Sequence, residues 1–261
     1  MLPIVTRPKL YLHIGHGKVA SSTIQAALQA NIDAIRSQGF LVADDQLRFP
    51  VSGPVLANSV PYFTKMRRLG DEGLSDFGDR MGALEAHRAS GRYHSAIISA
   101  ENLTAPGLES IGPLRLHGFD LQVLYYVRRP DDWLLSAWKQ WGFKQGLGIA
   151  QFFEESISNG HPPFLKVADR WHSASGSIRV RPLHPDALED GDIVRDVFHA
   201  IGCEPEATDL PRINPSFDLS LLEVMAQSPF LFDDPNDNRL FNYLQQVLPE
   251  EFPQERLALG R

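Results

Sequence analysis

The chain has 261 residues, a formal net charge of -7 and a single cysteine, with 43% hydrophobic and 22% charged residues. This composition is that of a folded globular protein, and one cysteine excludes both an intramolecular disulfide and a cysteine-rich zinc site. The acidic balance argues against general nucleic-acid binding, whose footprint is usually basic. No apolar run approaches the roughly 20 residues that cross a bilayer, and no signal-peptide pattern opens the chain, so we expect a cytoplasmic protein without a membrane span.

Short apolar runs alternate with segments of helical periodicity along most of the chain. The predicted strands cover residues 10–14, 40–42, 95–99, 121–127 and 177–183. The first predicted helix follows the loop after the first strand and ends at Gly39, and the others cover residues 74–89, 130–144, 149–158, 162–174 and 193–201. This alternation predicts an α/β fold, with a central parallel sheet flanked by helices in a single domain over residues 1–261.

Two segments do not fit the alternation of strands and helices. Residues 44–73 contain three prolines and lack a clear period, so we predict that they are irregular. We interpret residues 44–92 as an insert on the substrate side of the core. Residues 219–261 are predicted to form a helical tail.

Residues that can carry chemistry follow three of the predicted strands. The segment GHGKVASST follows the first strand, Glu101 follows the third and Arg128 follows the fourth. Ligands of parallel α/β sheets bind outside the carboxyl ends of the strands. We therefore expect these three features to meet at one edge of the sheet.

The segment after the first strand is a candidate anion site. Its backbone N–H groups and the start of the next helix offer positive charge, to which Lys18 adds an ammonium and residues 21–23 add hydroxyl groups. The alternative is a tight turn with a serine N-cap. Val19 stands directly after the lysine, where nucleoside-triphosphate loops carry the Ser or Thr that holds Mg²⁺. The pattern indicates an anionic ligand that needs no metal.

The stretch LHIGHGKVASSTIQAAL resembles the 5′-phosphosulfate loop of sulfotransferases, whose bacterial form reads roughly L-H-I-G-x-x-K-T-G-[ST]-[ST]-x-[IL]-Q-x-x-L. Lys18 falls on the lysine of that motif, whereas Val19 and Ala20 stand where the family has Thr and Gly. The resemblance implies that the loop binds the co-substrate 3′-phosphoadenosine 5′-phosphosulfate (PAPS). The cofactor-binding residues that it implies here are Gly17, Lys18, Ala20, Ser21, Ser22 and Thr23.

A second stretch, YYVRRPDDWLLSAWK, resembles the 3′-phosphate segment of the same family, a strand followed by R-x-P-x-x-x-x-x-S. Arg128 matches the arginine and Ser136 the serine, so the resemblance implies that both bind the 3′-phosphate of PAPS. An arginine at a strand end is a suitable bidentate donor to phosphate. The alternative is a surface network in which Arg128 and Arg129 pair with the nearby aspartates.

A third and looser resemblance lies near the carboxyl end. The stretch RINPSF is similar to the Asn/Ser segment of the bacterial members. It offers Arg212, Asn214 and Ser216 as candidates to line the nucleotide pocket, with a capped turn as the alternative.

Sulfuryl transfer requires a base that takes the proton of the attacking hydroxyl or amine. Glu101 lies where the S-x-E segment of bacterial and carbohydrate sulfotransferases carries a glutamate, so we predict Glu101 as the base and Lys18 as the second catalytic residue. His16 is the next candidate, because other branches of the family use a histidine. His13 lies within the first strand and is interpreted as a core histidine.

The resemblance as a whole implies a PAPS-dependent sulfotransferase with a P-loop nucleotide-hydrolase-like α/β architecture. The acceptor is expected to be a hydroxyl or amine of a small molecule, with a carbohydrate as the first candidate, and no metal is required. Two alternatives stay open. One is a P-loop-type kinase or nucleotidase that acts on a small molecule, and the other is a non-catalytic nucleotide-binding module.

Overall fold

The computed structural model of the chain describes residues 8–109, 111, 118–210 and 217–247. The three candidates from the RINPSF stretch lie outside the described residues. Within the described part of the chain, no helix combines the length and the apolar character needed to span a membrane.

The centre of the fold is one parallel sheet of five strands. These are β1 (Lys9–Ile14), β2 (Phe40–Val42), β3 (Ser95–Ala100), β4 (Asp120–Val127) and β5 (Ile178–Pro182). The order across the sheet is β2-β3-β1-β4-β5, so β1 is the central strand, and each neighbouring pair is parallel. All five strands fall where the sequence predicts them, because each is a short apolar run between loops.

Helices connect the strands and continue beyond them. The described helices are α1 (Ser21–Ala30), α2 (Ile32–Ser37), α3 (Val60–Leu69), α4 (Asp71–Ala89), α5 (Pro130–Ala137), α6 (Ile149–Ser158), α7 (Phe164–Ser175), α8 (Ile193–Ile201), α9 (Leu219–Ala226) and α10 (Arg239–Val247). After α5 the chain continues in one π-helical turn, Trp138–Gly142, and one 3-10 turn, Phe143–Gln145. The predicted α/β fold, a parallel sheet flanked by helices, is confirmed.

The two faces of the sheet bury different apolar layers, because successive side chains of a strand point to opposite faces. On one face Leu10 and Leu12 of β1 belong to a core shared with residues of α3, α4 and α7, including Phe63. On the other face Tyr11 belongs to a core shared with residues of α1, α2 and α8, including Phe198. Both faces of β1 are therefore covered, and ligand access is left to the ends of the strands.

The described structure forms two compact units. The first consists of the described residues within Met1–Arg128 and Phe164–Leu210, and it contains the five-stranded sheet. The second consists of the described residues within Arg129–Pro163 and Pro211–Arg261, with an apolar core that includes Trp138. The single domain over residues 1–261 stays a prediction.

The prediction that residues 44–73 are irregular is wrong for their second half, which forms α3 and the start of α4. Pro61 lies in the first turn of α3, where its missing N–H costs no helical hydrogen bond. Gly70 separates the two helices with a positive φ of 56°. In this segment Pro61 therefore marks the start of a helix and not a loop.

Candidate functional site

The carboxyl ends of three adjacent strands bring the predicted site residues to one edge of the sheet. Ile14 of β1 pairs with Ala100 of β3 on one side and with Tyr125 of β4 on the other. Glu101 directly follows the paired residue of β3, and Arg128 comes three residues after the paired residue of β4. Neighbouring strands lie only about 4.8 Å apart, so the loop after β1 starts between these two residues.

The charges of three predicted residues interact at this edge. Burial lowers the pKa of the Lys18 ammonium, the charge of Arg128 lowers it further, and the charge of Glu101 opposes both effects. Burial raises the pKa of the Glu101 carboxyl, and the charge of Lys18 opposes that shift. The structure therefore places a carboxylate and an arginine close enough to a partly desolvated lysine to shift its pKa.

The backbone of the loop after β1 bends through two left-handed residues. Lys18 has a φ of 72° and Ala20, the residue before α1, has a φ of 64°. Between them Val19 is completely buried, so its side chain belongs to the core. Lys18 and Ala20 are therefore partly exposed to solvent, while the buried side chain of Val19 attaches the loop to the core.

The three hydroxyl-bearing residues at the start of α1 differ in exposure. Ser21 is buried, and its hydroxyl donates a hydrogen bond to the backbone carbonyl of His16 at 3.4 Å, which ties the loop to the helix. Ser22 is exposed and Thr23 is half-buried. The first N–H groups of α1 have no acceptor within the helix, since N–H(i) bonds to the carbonyl of i−4. The helix start therefore offers backbone donors to an anion, with Ser21 in a supporting role.

Replacing Ala20 with Gly should stabilise the fold. A left-handed conformation is strained for alanine and free for glycine, so we expect the free energy of unfolding to rise by about 0.5–1 kcal/mol, net of the entropy that glycine loses. Urea denaturation of both proteins measures the difference. The matched control is Ala26→Gly in the middle of α1, which should lose about 1 kcal/mol. A loss at both positions would contradict the left-handed loop.

His13 lies in β1 beneath the loop and is buried, as predicted for a core histidine. Its Nδ1 is hydrogen-bonded to the Ser99 hydroxyl of β3 at 2.8 Å, and burial lowers its pKa to about 4. A Cβ added to Gly15 would lie 3.6 Å from Nε2 of His13 and 2.7 Å from the Ser21 hydroxyl. Glycine at position 15 thus lets the loop pass directly over a neutral imidazole.

His16, the second candidate for the base, lies in the loop with its ring among aromatic side chains. The ring centroid is 5.9 Å from that of Tyr125 and 5.3 Å from that of Phe164, at the start of α7. The residue is half-buried. Packing against two rings gives His16 a structural role in the loop.

Sequence reasoning missed the residues that hold the turn after β3. The 3-10 turn Glu101–Thr104 ends in a threonine whose hydroxyl donates to the backbone carbonyl of Gly15 at 3.2 Å. Arg170 of α7 donates to the backbone carbonyl of Thr104 at 2.7 Å, and the Trp171 indole donates to that of Leu103 at 3.0 Å. These contacts fix the turn that carries Glu101 against the loop that carries Lys18. Nothing in the local sequence pattern indicates them, because the partners are far apart in the chain.

The two members of the predicted 3′-phosphate pair lie in different units. Arg128, at the end of β4, belongs to the first unit and is half-buried beside the charge of Lys18. Ser136 lies in α5 of the second unit and is half-buried. The surface network that was the alternative forms around Arg129, which pairs with Asp131 at 2.5 Å. A phosphate held jointly by the arginine and the serine stays a prediction.

No group of three or more histidine, cysteine, aspartate or glutamate side chains is arranged to hold a metal ion in the described part of the chain. The requirement for a metal therefore stays a question for experiment. The donors that the described site does offer are one ammonium, one guanidinium and the backbone N–H groups of a helix start, which suit an anion.

No protein-family model matches the chain, and no curated protein matches it either. Among solved structures, the chain is similar to one from the PezAT chromosomal toxin-antitoxin system of the human pathogen Streptococcus pneumoniae. The identity is 15%, the similarity covers 68% of this chain and 69% of that chain, and the TM-score is 0.32. A similarity this low carries no weight for fold or function.

Proposed function

We propose that the protein is a sulfotransferase that moves a sulfuryl group from PAPS to a hydroxyl or amine acceptor. The single observation that supports this most is that the charges of both Glu101 and Arg128 act on Lys18, in the loop after the central strand, where the carboxyl ends of β3, β1 and β4 lie side by side. One site then combines an anion-binding loop, a carboxylate that can take a proton, and a second cation. Nucleophilic transfer of a charged group to a hydroxyl needs these three functions.

In the proposed reaction the acceptor oxygen or nitrogen attacks the sulfur of PAPS in line with the leaving group. The bond from sulfur to the bridging oxygen of the 5′-phosphate breaks, and its electron pair stays on that oxygen of adenosine 3′,5′-bisphosphate (PAP). Glu101 takes the proton that the acceptor loses. Lys18 and the N–H groups at the start of α1 stabilise the negative charge that develops on the sulfonate and on the bridging oxygen.

One feature of the loop argues against a magnesium nucleoside triphosphate. Val19 stands where the magnesium-binding hydroxyl of a triphosphate loop is found, and its side chain is buried in the core. The same position carries Thr in the sulfotransferase motif, so Val19 argues against magnesium binding and leaves the choice of sulfonate to the other residues of the site. A kinase or nucleotidase remains the second candidate, favoured only if magnesium-dependent turnover of ATP is measured. A carbohydrate acceptor remains part of the proposal.

PAP should raise the melting temperature of the chain far more than ADP does, because ADP lacks the 3′-phosphate that we assign to Arg128. Replacing Arg128 with Ala should weaken PAP binding by about 1.5–3 kcal/mol, the range for a hydrogen bond to a charged group. The matched control is Arg129→Ala, since Arg129 is 66% exposed and pairs with Asp131. The measurement is a thermal-shift titration in EDTA.

Equal stabilisation by PAP and ADP would remove the 3′-phosphate assignment. An equal loss in the Arg128 and Arg129 variants would show a general charge effect. Binding that disappears in EDTA and returns with Mg²⁺ would favour the kinase interpretation.

A further inference from the structure

A cavity of about 350 Å³ lies beside the turn that carries Glu101. Its lining residues are Thr64, Arg67, Arg68, Asn102 and Leu108. All five belong to the first unit, and three of them lie on α3, within the segment that was predicted to be a substrate-side insert. A volume of this size suits a small molecule such as a monosaccharide.

The position of the cavity relative to Glu101 is fixed by a hydrogen-bonded link. Asn102 is the next residue after Glu101, and its side-chain amide donates to the Val60 backbone carbonyl at 3.1 Å and to the Thr64 hydroxyl at 3.0 Å. The Thr64 hydroxyl in turn donates to the Val60 carbonyl at 2.8 Å. The start of α3 is therefore attached to the residue next to the proposed base, so that a molecule in the cavity lies next to the Glu101 turn.

The charge of the cavity is positive. Arg67 and Arg68 are exposed, and neither forms an ion pair with any residue that the structure describes. The other lining residues are two neutral polar side chains and the buried Leu108, which provides an apolar wall. Two guanidinium groups at a concave surface without a carboxylate in its lining favour an anionic ligand.

We propose that this cavity binds the anionic group of the acceptor, so that the acceptor is a small hydroxylated molecule that carries a carboxylate or a phosphate. This inference rests on the proposed sulfotransferase function, in which Glu101 receives the acceptor's proton. Arg67 and Arg68 act as specificity residues: they hold the anionic end of the acceptor and leave a hydroxyl near the Glu101 turn. An acceptor without an anionic group uses only the polar and apolar walls.

Calorimetric titration of three related sugars tests the assignment, first on the chain alone and then on the chain saturated with PAP. Glucose is the neutral probe, glucuronate adds a carboxylate and glucose 6-phosphate adds a phosphate. At least one of the two anions should bind about tenfold tighter than glucose, the lower end of the range for a hydrogen bond to a charged group. The sugar whose affinity exceeds that of glucose shows whether the cavity prefers a carboxylate or a phosphate.

The variant Arg67→Gln/Arg68→Gln should abolish this preference for the anion and leave PAP affinity unchanged. Glutamine is a good helix former, so the exposed face of α3 should tolerate both changes. The matched control is Lys65→Gln, which removes a positive charge from the same exposed helix at a position outside the cavity lining. The control should keep the full preference.

Three results would overturn the assignment: no anion binds, no anion binds tighter than glucose, or the preference survives in the double variant. The PAP titration separates this failure from failure of the proposed function. If PAP binds and the anions do not, the cavity assignment is wrong while the sulfotransferase proposal stands. If an anion binds through Arg67 and Arg68 while PAP does not bind, the sulfotransferase proposal is wrong while the cavity is an anion site.

Discussion

Replacing Glu101 with Gln should reduce sulfuryl transfer by roughly 10²–10⁴, the usual contribution of a positioned general base, and leave PAP binding intact. Glutamine keeps the shape of the side chain and removes its ability to take a proton. The loss should therefore fall on kcat, since the affinity for the nucleotide does not depend on this carboxylate. Initial rates at saturating PAPS, together with PAP titration, measure both quantities.

The pH dependence of the same reaction follows from the burial of Glu101. Burial raises the pKa of its carboxyl, against the opposing charge of Lys18. The base is active when ionised, so activity should fall as the pH drops through a value above that of an ordinary glutamate. The acid limb should disappear in Glu101→Gln, because the group that titrates is gone.

The matched control for Glu101 is Glu72→Gln, an exposed glutamate in the first turn of α4. This variant should retain the wild-type rate of transfer and the same fall in activity at low pH. Near-normal transfer by Glu101→Gln would place the base elsewhere, and His16 would then be the residue to replace.

Replacing Lys18 with Ala should lower turnover about a hundredfold or more, the effect of removing one preorganised donor from a developing charge. PAP affinity should fall much less, because PAP lacks the sulfonate that Lys18 contacts in the proposed reaction. Burial and the charge of Arg128 lower the pKa of Lys18, so the ammonium loses its proton, and activity falls, at a lower pH than for an ordinary lysine. Measuring the rate of transfer from acid to alkaline pH locates this fall in activity.

The matched control for Lys18 is Lys9→Ala, at the exposed opposite end of β1. It removes the same charge from the chain and should leave turnover unchanged. If Lys18→Ala lowers PAP affinity as much as it lowers turnover, the lysine binds the nucleotide equally in the ground state and the transition state. It would then not stabilise the transition state specifically.

The meeting of Lys18, Glu101 and Arg128 was predictable from the sequence alone. Each residue follows an apolar run that predicts a buried strand. Parallel strands bring their carboxyl ends to the same edge of the sheet. The helix over Ile193–Ile201 was equally predictable, because Asp192 caps its start and Gly202 ends it in a left-handed conformation. These signals are local, and local signals need no knowledge of the fold.

Other features depend on contacts between distant parts of the chain. The helix predicted to end at Gly39 is interrupted at Asn31. The side chain of Asn31 forms two hydrogen bonds with the backbone of Ala207. Its amide donates to the Ala207 carbonyl at 2.9 Å, and its oxygen accepts from the Ala207 N–H at 2.7 Å. The hydrogen bond from Arg170 to the Thr104 carbonyl also joins elements that lie far apart in the sequence. No periodicity or capping pattern encodes such partners.

The most direct test of the proposed function is the conversion of PAPS to PAP by the chain in EDTA, with product analysis by mass spectrometry. The acceptors are glucose, glucuronate and glucose 6-phosphate, and the variant Lys18→Ala is run in parallel. We expect PAP to accumulate together with a sulfated sugar, and the Lys18 variant to form both at no more than about a hundredth of the rate. A parallel incubation replaces PAPS and EDTA with ATP and Mg²⁺. Formation of PAP at the same rate by both proteins, or consumption of ATP in that incubation without any turnover of PAPS, would contradict the proposal.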